Sequence, residues 1–214
     1  MDKKLQETEI VVVLDRSGSM RDIGESTVNG FNKFLDEQKN SEGQAFITLV
    51  QFDDRYETKY KSIPVNEAES LILGENFKPR GTTALLDAIG KTIEELKTDR
   101  DVVFVIITDG EENSSRVYKR EAIMKMIETQ TQEGWNFLFL AANQDAIKTG
   151  GSIGIKTGNS ITYATNDSSV DNVFSSFSSN VSQYRKSKMD YRGEDFSKIS
   201  KDLDFKEDQR KKSE

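Results

Sequence analysis

Three short stretches of this 214-residue chain carry side chains that could bind a metal ion. In chain order they contain Asp15, Ser17 and Ser19, then Thr82 and Thr83, then Asp109. Carboxylate and hydroxyl oxygens are hard ligands, which suit Mg²⁺, Mn²⁺ or Ca²⁺. If the fold brings these stretches together, they would form a binding site for a divalent cation.

The chain contains no histidine and no cysteine. Ser-His-Asp and Cys-His catalysis are therefore excluded, as are histidine- or cysteine-bound zinc, iron–sulfur clusters and disulfides. Any metal held by this chain must be bound through oxygen atoms. The lack of cysteine suits a reducing compartment, and we expect a cytoplasmic location.

Charge and hydropathy restrict the class of partner. The net charge is −7 at neutral pH, which disfavours a nucleic-acid partner. The sequence has no run of about 20 apolar residues, so we expect no membrane-spanning segment and no membrane partner. No signal-peptide core precedes the first apolar run. A chain of this length can fold as one domain with a full core.

The elements that must position the candidate ligands alternate between apolar strands and amphipathic helices. Residues 10–14 and 102–107 are unbroken apolar runs, typical of strands buried on both faces of a parallel sheet. Each run is followed by one of the two candidate aspartates. We predict an α/β fold with a doubly wound, mostly parallel central sheet of about six strands, one antiparallel edge strand and helices on both faces. Such sheets bind ligands at the carboxyl ends of their strands.

The predicted elements follow from apolar periodicity and turn residues. Strands are predicted at 10–14, 45–52, 56–62, 101–108, 135–142 and 161–163. Helices are predicted at 27–39, 84–97, 117–132, 146–148 and 169–185, the first with Ser26 as its N-cap. The strand at 56–62 returns from a hairpin and is the predicted antiparallel edge. We predict a domain over residues 1–185 and a charged, partly ordered C-terminal extension over 186–214.

Taken together, the three stretches resemble the metal-ion-dependent adhesion site (MIDAS) of von Willebrand factor A (VWA) domains. The matching motifs are Asp15-x-Ser17-x-Ser19, Gly81-Thr82-Thr83-Ala84-Leu85 and Ile107-Thr108-Asp109-Gly110. The resemblance covers roughly residues 8–185 and implies hydroxyl ligands from Ser17, Ser19 and Thr83, with carboxylates from Asp15 and Asp109. We prefer Thr83 to Thr82 because the family threonine usually stands just before the apolar start of a helix, although the register could differ by one residue.

The resemblance implies binding of a protein partner rather than catalysis. Hydroxyl ligands are neutral, so a bound Mg²⁺ (or Mn²⁺ or Ca²⁺) would keep positive charge and an open coordination position. An acidic side chain of a partner can complete the shell, which is how family members bind their ligands. The chain most resembles small stand-alone bacterial or phage members, so we expect an adaptor or scaffold that is not an enzyme.

Two other functions stay open at this stage. Asp15 lies where phosphatases of the haloacid dehalogenase type place their nucleophile, so the alternative is a Mg²⁺-dependent, phosphatase-like hydrolase. That chemistry normally needs a second aspartate two positions later, where this chain has Ser17. The third possibility is a structural protein with a vestigial site.

Several polar residues near the motifs have more than one interpretation. Asp53 and Asp54 are expected in the hairpin turn, with flanking of a second ion as the alternative. Glu111, Glu112 and Asn113 are expected in a loop or first helical turn, with support of the metal ligands as the alternative. Asp87 is expected to form local hydrogen bonds. Residues 150–157 lack the glycine that a phosphate-binding loop needs before Lys156.

Overall fold

The computed structural model describes residues 7–190 and 196–214 and contains a six-stranded sheet with the strand order β3-β2-β1-β4-β5-β6. The strands are β1 (Thr8–Asp15), β2 (Ala45–Phe52), β3 (Tyr56–Pro64), β4 (Asp101–Thr108), β5 (Asn136–Ala142) and β6 (Ser160–Tyr163). All neighbouring strands are parallel except β2 and β3, which form the hairpin. The predicted fold class is confirmed, including the antiparallel edge strand.

Seven α-helices connect or follow the strands within the described residues. They are α1 (Gly24–Asn40), α2 (Leu85–Glu95), α3 (Arg120–Gln132), α4 (Ala146–Gly151), α5 (Asp167–Met189), α6 (Phe196–Ser200) and α7 (Glu207–Ser213). Short 3-10 turns lie at Gly18–Arg21, Val65–Glu67, Thr157–Asn159 and Lys201–Leu203. Alternation of strands and helices places helices on both faces of the sheet, as the sequence predicts.

The two faces of the sheet bury separate apolar clusters. In β1, the side chains of Ile10, Val12 and Leu14 enter a cluster that also contains residues of α1 and α5. Val11 and Val13 enter the opposite cluster, with residues of α2 and α3. Successive side chains of a strand point to opposite faces, so an unbroken apolar run serves both clusters. This is why the central strands read as continuous apolar runs.

Helices α1 and α5 pack closely on one face of the sheet. The rings of Phe34 and Phe177 stack with centroids 4.4 Å apart. Gly30 lies against the ring of Phe174, where an added Cβ would come within 2.5 Å of a ring carbon. A glycine at this point therefore sets the distance between the two helices.

The start of α1 differs from the prediction. Ile23 is the N-cap and the helix begins at Gly24, so Ser26 lies inside the first turn and is not the cap. Its hydroxyl donates instead to the Asp167 carboxylate at the start of α5. The prediction of Ser26 as cap was wrong because a tertiary hydrogen bond uses the hydroxyl that a local cap would have used.

The start of α3 also differs, at Arg120 rather than residue 117. The carboxylate of Asp87 accepts hydrogen bonds from the backbone N–H groups of Arg116, Val117 and Tyr118, at 2.8, 2.9 and 2.8 Å. These contacts hold the preceding residues as a loop against α2. Asp87 therefore forms hydrogen bonds, but with backbone groups 29–31 residues away in the chain, so the prediction of local bonds was wrong.

The C-terminal residues contact the rest of the chain at several points. Helix α5 runs beyond residue 185, and Lys188 Nζ lies 2.8 Å from Asp101 Oδ2 in a buried ion pair. Leu203 and Phe205 are buried in the cluster beneath α1 and α5. The division of the chain at residue 185 stays a prediction.

Of the helices described, none combines the length and apolar character that crossing a membrane requires.

We expect Gly30→Ala to destabilise the protein, because the new methyl group would force Phe174 away from its packed position. Overpacking of this kind typically costs about 1–3 kcal/mol of unfolding free energy. Gly151→Ala is a matched control, since nothing lies within 4 Å of a Cβ added at that helical glycine. Urea denaturation would compare the two, and equal stability of Gly30→Ala and the wild type would contradict the packing argument.

Candidate metal site

The two candidate aspartates meet because β1 and β4 are neighbours in the sheet. Their parallel register pairs Leu14 with Ile107, so Asp15 follows beside Thr108 at the carboxyl edge. Asp109 is the next residue after β4. The strand order reverses at this pair, because β2 and β3 lie on one side of β1 and the later strands lie on the side of β4. Open α/β sheets form their ligand crevice at such a point.

Both carboxylate oxygens of Asp15 are held by hydrogen bonds. Oδ1 accepts from the backbone N–H of Ser17 at 2.6 Å, and Oδ2 accepts from the hydroxyl of Thr108 at 2.6 Å. The side chain is fully buried. Asp15 therefore fixes the turn after β1 against the end of β4.

Two hydroxyls and the second carboxylate form a continuous row of oxygens. Ser17 Oγ lies 3.0 Å from Ser19 Oγ, and Ser19 Oγ donates to Asp109 Oδ1 at 2.6 Å. Adjacent oxygens around an octahedral Mg²⁺ lie about 3 Å apart, because each is about 2.1 Å from the ion. The spacing of this row is thus close to that of neighbouring ligands on one small cation.

The hydroxyl of Thr83 faces the same space from the opposite loop. A Cβ added at Gly110 would lie 3.0 Å from Thr83 Oγ1, 3.3 Å from Ser19 Oγ and 3.7 Å from Ser17 Oγ. The three hydroxyls therefore surround one small volume next to Gly110. Thr83, whose hydroxyl faces this volume, is buried, whereas Thr82 is exposed. Thr83 is also the threonine that the sequence motif favours.

The site is short of positive charge. The pKa of Asp15 is raised to about 7, mainly by burial and to a smaller extent by the nearby Asp109 carboxylate, while hydrogen bonds from Thr108 and Ser17 oppose the rise. Burial also raises the pKa of Asp109, although the Ser19 hydroxyl bond opposes this. Desolvation holds the pKa values of both carboxyl groups above their ordinary range. A nearby cation would lower these pKa values, because it stabilises the ionised carboxylates.

The loop that carries Thr83 is held in place by the loop after β4. Asn113 Oδ1 accepts from the Thr83 N–H at 2.9 Å, and the Asn113 N–H donates to the Thr83 carbonyl at 3.1 Å. Glu112 Oε2 accepts from the N–H of Leu86 at 2.8 Å, in the first turn of α2. Glu112 and Asn113 thus support the position of Thr83, while Glu111 is exposed.

A buried ion pair between Arg16 and Asp53 holds the turn after β1 in place. Arg16 Nε donates to Asp53 Oδ2 at 3.0 Å, and both side chains are almost fully buried. Arg80 Nε donates to the same oxygen at 2.8 Å. Asp53 is therefore a turn residue that also connects the two loops containing Arg16 and Arg80. Its neighbour Asp54 is exposed and lies beside Gly81.

The structure brings all five predicted residues to one edge of the sheet: Asp15, Ser17, Ser19, Thr83 and Asp109. Their roles as ligands stay predictions. Residues missed from the sequence are Thr108, which holds Asp15, and Arg16, which holds Asp53. Thr108 belongs to the Ile107-Thr108-Asp109-Gly110 motif, but a contact with a carboxylate 93 residues away leaves no local signal in the sequence.

The chemistry of the five residues differs from that of a carboxylate cage. Within residues 7–190 and 196–214, no group of three or more acidic side chains could hold a metal ion. Three of the five oxygen donors at this edge are neutral hydroxyls. A donor set of this kind would leave a divalent cation with part of its positive charge uncompensated.

Comparison with models of protein families identifies the family of this chain. Residues 9–179 match the family model of the von Willebrand factor type A domain. The chain belongs to this family. A comparison with curated proteins found no match for this VWA domain.

Several solved structures share the fold at low sequence identity. Proximal thread matrix protein 1 from the mussel byssus, solved with a zinc-occupied MIDAS motif, matches with a TM-score of 0.59 and 15% identity, over 79% of this chain and 44% of that one. A VWA protein from Catenulispora acidiphila matches with a TM-score of 0.57 and 12% identity, over 83% and 43%. The ArnB paralog VWA2 from Sulfolobus acidocaldarius matches with a TM-score of 0.56 and 17% identity, over 79% and 44%.

This VWA domain spans less than half the length of each of these three neighbours. At such identities the likeness shows the shared fold. The similarity to these three proteins is therefore one of fold and not of sequence.

We expect Arg16→Gln to destabilise this VWA domain by about 3 kcal/mol, because it removes the buried one of the two described ion-pair partners of Asp53 and leaves the partly exposed Arg80. Lys59→Gln is the matched control. Lys59 and Arg16 both pair with Glu57, but the Lys59 pair is near the surface and should cost less than about 1 kcal/mol. Chemical denaturation would separate the two, and equal losses would contradict the role given to burial.

Proposed function

We propose that this VWA domain binds an acidic group of a protein partner through a divalent cation. The observation that carries the proposal is the convergence of three hydroxyls and two carboxylates on one small volume at the carboxyl edge of the sheet. The oxygen spacings fit neighbouring ligands of a small cation. Burial raises the pKa of both Asp15 and Asp109, and a nearby cation would favour their ionised forms.

The residues present fit such an ion. The hydroxyls of Ser17, Ser19 and Thr83 would hold it. The Asp109 carboxylate accepts a hydrogen bond from the Ser19 hydroxyl, and the Asp15 carboxylate accepts one from the Ser17 N–H. When bound, a divalent cation supplies an electrophilic position that a carboxylate can occupy. The hydrogen bonds of Asp15 to the Ser17 N–H and the Thr108 hydroxyl would hold the turn in position for the ion.

The exposure of the site supports access from one side. Asp15, Ser17 and Thr83 are buried, whereas Ser19 is exposed and Gly110 partly exposed. A partner would therefore approach over Ser19 and Gly110. Neutral donors on the protein side would leave the cation attractive to the partner's carboxylate.

The zinc-occupied MIDAS motif of the mussel byssus protein supports metal binding on this fold. We propose Mg²⁺ as the ion of this chain, with Mn²⁺ or Ca²⁺ as alternatives, because hydroxyl and carboxylate oxygens suit hard cations. With binding as its function, the domain would act as an adaptor or scaffold and not as an enzyme.

The geometry does not favour the hydrolase that uses Asp15 as a nucleophile. That carboxylate is fully buried, and each of its oxygens already accepts a hydrogen bond of 2.6 Å. A nucleophile must reach the substrate phosphorus directly. An assay with p-nitrophenyl phosphate and Mg²⁺ tests this alternative, and turnover that Asp15→Asn abolishes would replace the binding proposal.

We expect Thr83→Val to weaken Mn²⁺ binding by about tenfold or more, because valine has nearly the same shape but lacks the hydroxyl. Thr82→Val makes the same chemical change at the exposed neighbouring position and should leave the affinity unchanged. Calorimetric titration of the three proteins provides the measurement. Loss of affinity in Thr82→Val alone would move the register of the site by one residue.

Binding of an acidic group can be tested with glutarate as the probe. A Mn²⁺ ion bound at this site should increase the relaxation rate of water protons, and glutarate should reduce that increase by replacing a coordinated water. Glutaramide, which has the same length without the carboxylates, should have no effect. A relaxation rate that glutarate leaves unchanged would contradict the proposed recognition of carboxylates, even if the metal binds.

Binding of the metal and binding of glutarate should both depend on Asp15. Asp15→Asn should abolish both the Mn²⁺ titration and the glutarate effect, while Asp54→Asn, an equal change of charge beside the same loop, should alter neither. The melting temperatures of both variants without metal provide the control for folding.

A further inference from the structure

A cavity of about 490 Å³ lies beside the candidate metal site, between α2, α3, α4 and the loops after β4 and β5. Gln144 lines this side cavity, and its side-chain amide donates to the Gly110 carbonyl at 2.9 Å. Leu85, which also lines the side cavity, is two residues after Thr83 in the chain. The side cavity therefore borders the surface around Gly110, over which a partner would approach the metal.

The floor of the side cavity is apolar. Leu85, Leu86 and Ile153 line it, and all three side chains are buried. Apolar side chains suit the methylene groups of a ligand, whereas a charged group stays near water or near an opposite charge. A ligand that enters the side cavity would therefore place its methylene groups on the floor and its charged group at the mouth.

Two exposed cations lie at the mouth of the side cavity. Arg120 in α3 and Lys148 in α4 both line the cavity and are exposed. The Arg120 guanidinium donates to the hydroxyl of Ser152, which is neutral. In the part of the chain that the structure describes, neither cation forms an ion pair with a carboxylate. Both positive charges are therefore available to an anion.

The acidic side chains around the side cavity are mostly used by the protein itself. Glu112 accepts four described hydrogen bonds from backbone N–H and hydroxyl groups, at 2.6–2.9 Å. Asp145 accepts from the Lys148 N–H at 3.0 Å as the cap of α4. Among the described lining residues, Glu111 is the one carboxylate without such a bond. The mouth thus presents two unpaired cations and one unpaired carboxylate, although the whole chain has a net charge of −7.

We propose that the side cavity is a second subsite for the partner and that it takes an acidic side chain. The inference rests on the proposed function, in which another carboxylate of the same partner binds the metal. The methylene groups of the second side chain would pack on Leu86 and Ile153, and its carboxylate would pair with Arg120 and Lys148. Charge complementarity selects this occupant, because the metal and the two cations attract the same kind of group. The partner segment would therefore carry two acidic side chains.

Two linked carboxylates should bind this domain more tightly than one. Once the first carboxylate is held by the metal, the second is present at a high effective concentration beside the side cavity. The gain requires a linker that spans the two positions, and it disappears when the linker is too short. A series of dicarboxylates from glutarate to azelate therefore probes the subsite with ligands of known chemistry.

The relaxation rate of water protons near bound Mn²⁺ provides the measurement. Each dicarboxylate is compared with its own monoamide, which has nearly the same length and a single carboxylate. At least one dicarboxylate should displace the coordinated water at a concentration about tenfold lower than its monoamide does, beyond the roughly twofold gain from having two equivalent carboxylates. Arg120→Gln and Lys148→Gln should each reduce this advantage about threefold, while the monoamide should bind as before.

Lys119→Gln is the matched control. It removes one exposed positive charge next to Arg120, from a residue outside the described lining of the side cavity, and should leave the advantage unchanged. If no dicarboxylate exceeds its monoamide by more than about twofold, or if Lys119→Gln causes an equal loss, the subsite is overturned while binding of a carboxylate by the metal stands. If neither dicarboxylates nor monoamides displace the water, the proposed function fails and the subsite fails with it.

Discussion

The carboxylate of Asp15 is the contact on which the candidate site depends. It joins the N–H of Ser17, on the turn after β1, to the hydroxyl of Thr108, on the last residue of β4. Because β1 and β4 are neighbouring central strands, this contact links the two loops that carry Ser19 and Asp109. A buried carboxylate whose hydrogen-bond donors are all neutral is weakly compensated, and burial raises its pKa.

The surrounding loops are held by polar contacts as well as by buried apolar side chains such as Met20 and Leu85. Arg16 and Asp53 fix the turn from the β2–β3 side, while Glu112 and Asn113 fix the Thr83 loop from the β4 side. Hydrogen bonds to charged groups define the distance and direction between their atoms closely. A site built from short hydroxyl side chains needs such supports, because serine and threonine cannot extend to reach a misplaced ion.

The sheet also explains where the rest of the chain lies. Central strands are buried on both faces and by neighbours on both sides, so only the two edges need separate protection. The β3 edge carries its own charges, and the β6 edge is covered by the segment that contains Arg210. The candidate metal site at one end of the strands and the covered edge at the side therefore arise from the same arrangement.

The sequence alone determined the fold class and the location of the site. Apolar runs that end in Asp15 and Asp109 specify buried parallel strands, since burial on both faces requires apolar residues at every position. Tertiary structure decided which hydroxyls face each other, that Ser26 binds Asp167 instead of capping its helix, and that Arg210 covers β6. Apolar periodicity records whether a residue is buried, but a polar contact between residues far apart in the chain depends on how the loops pack, which no local pattern contains.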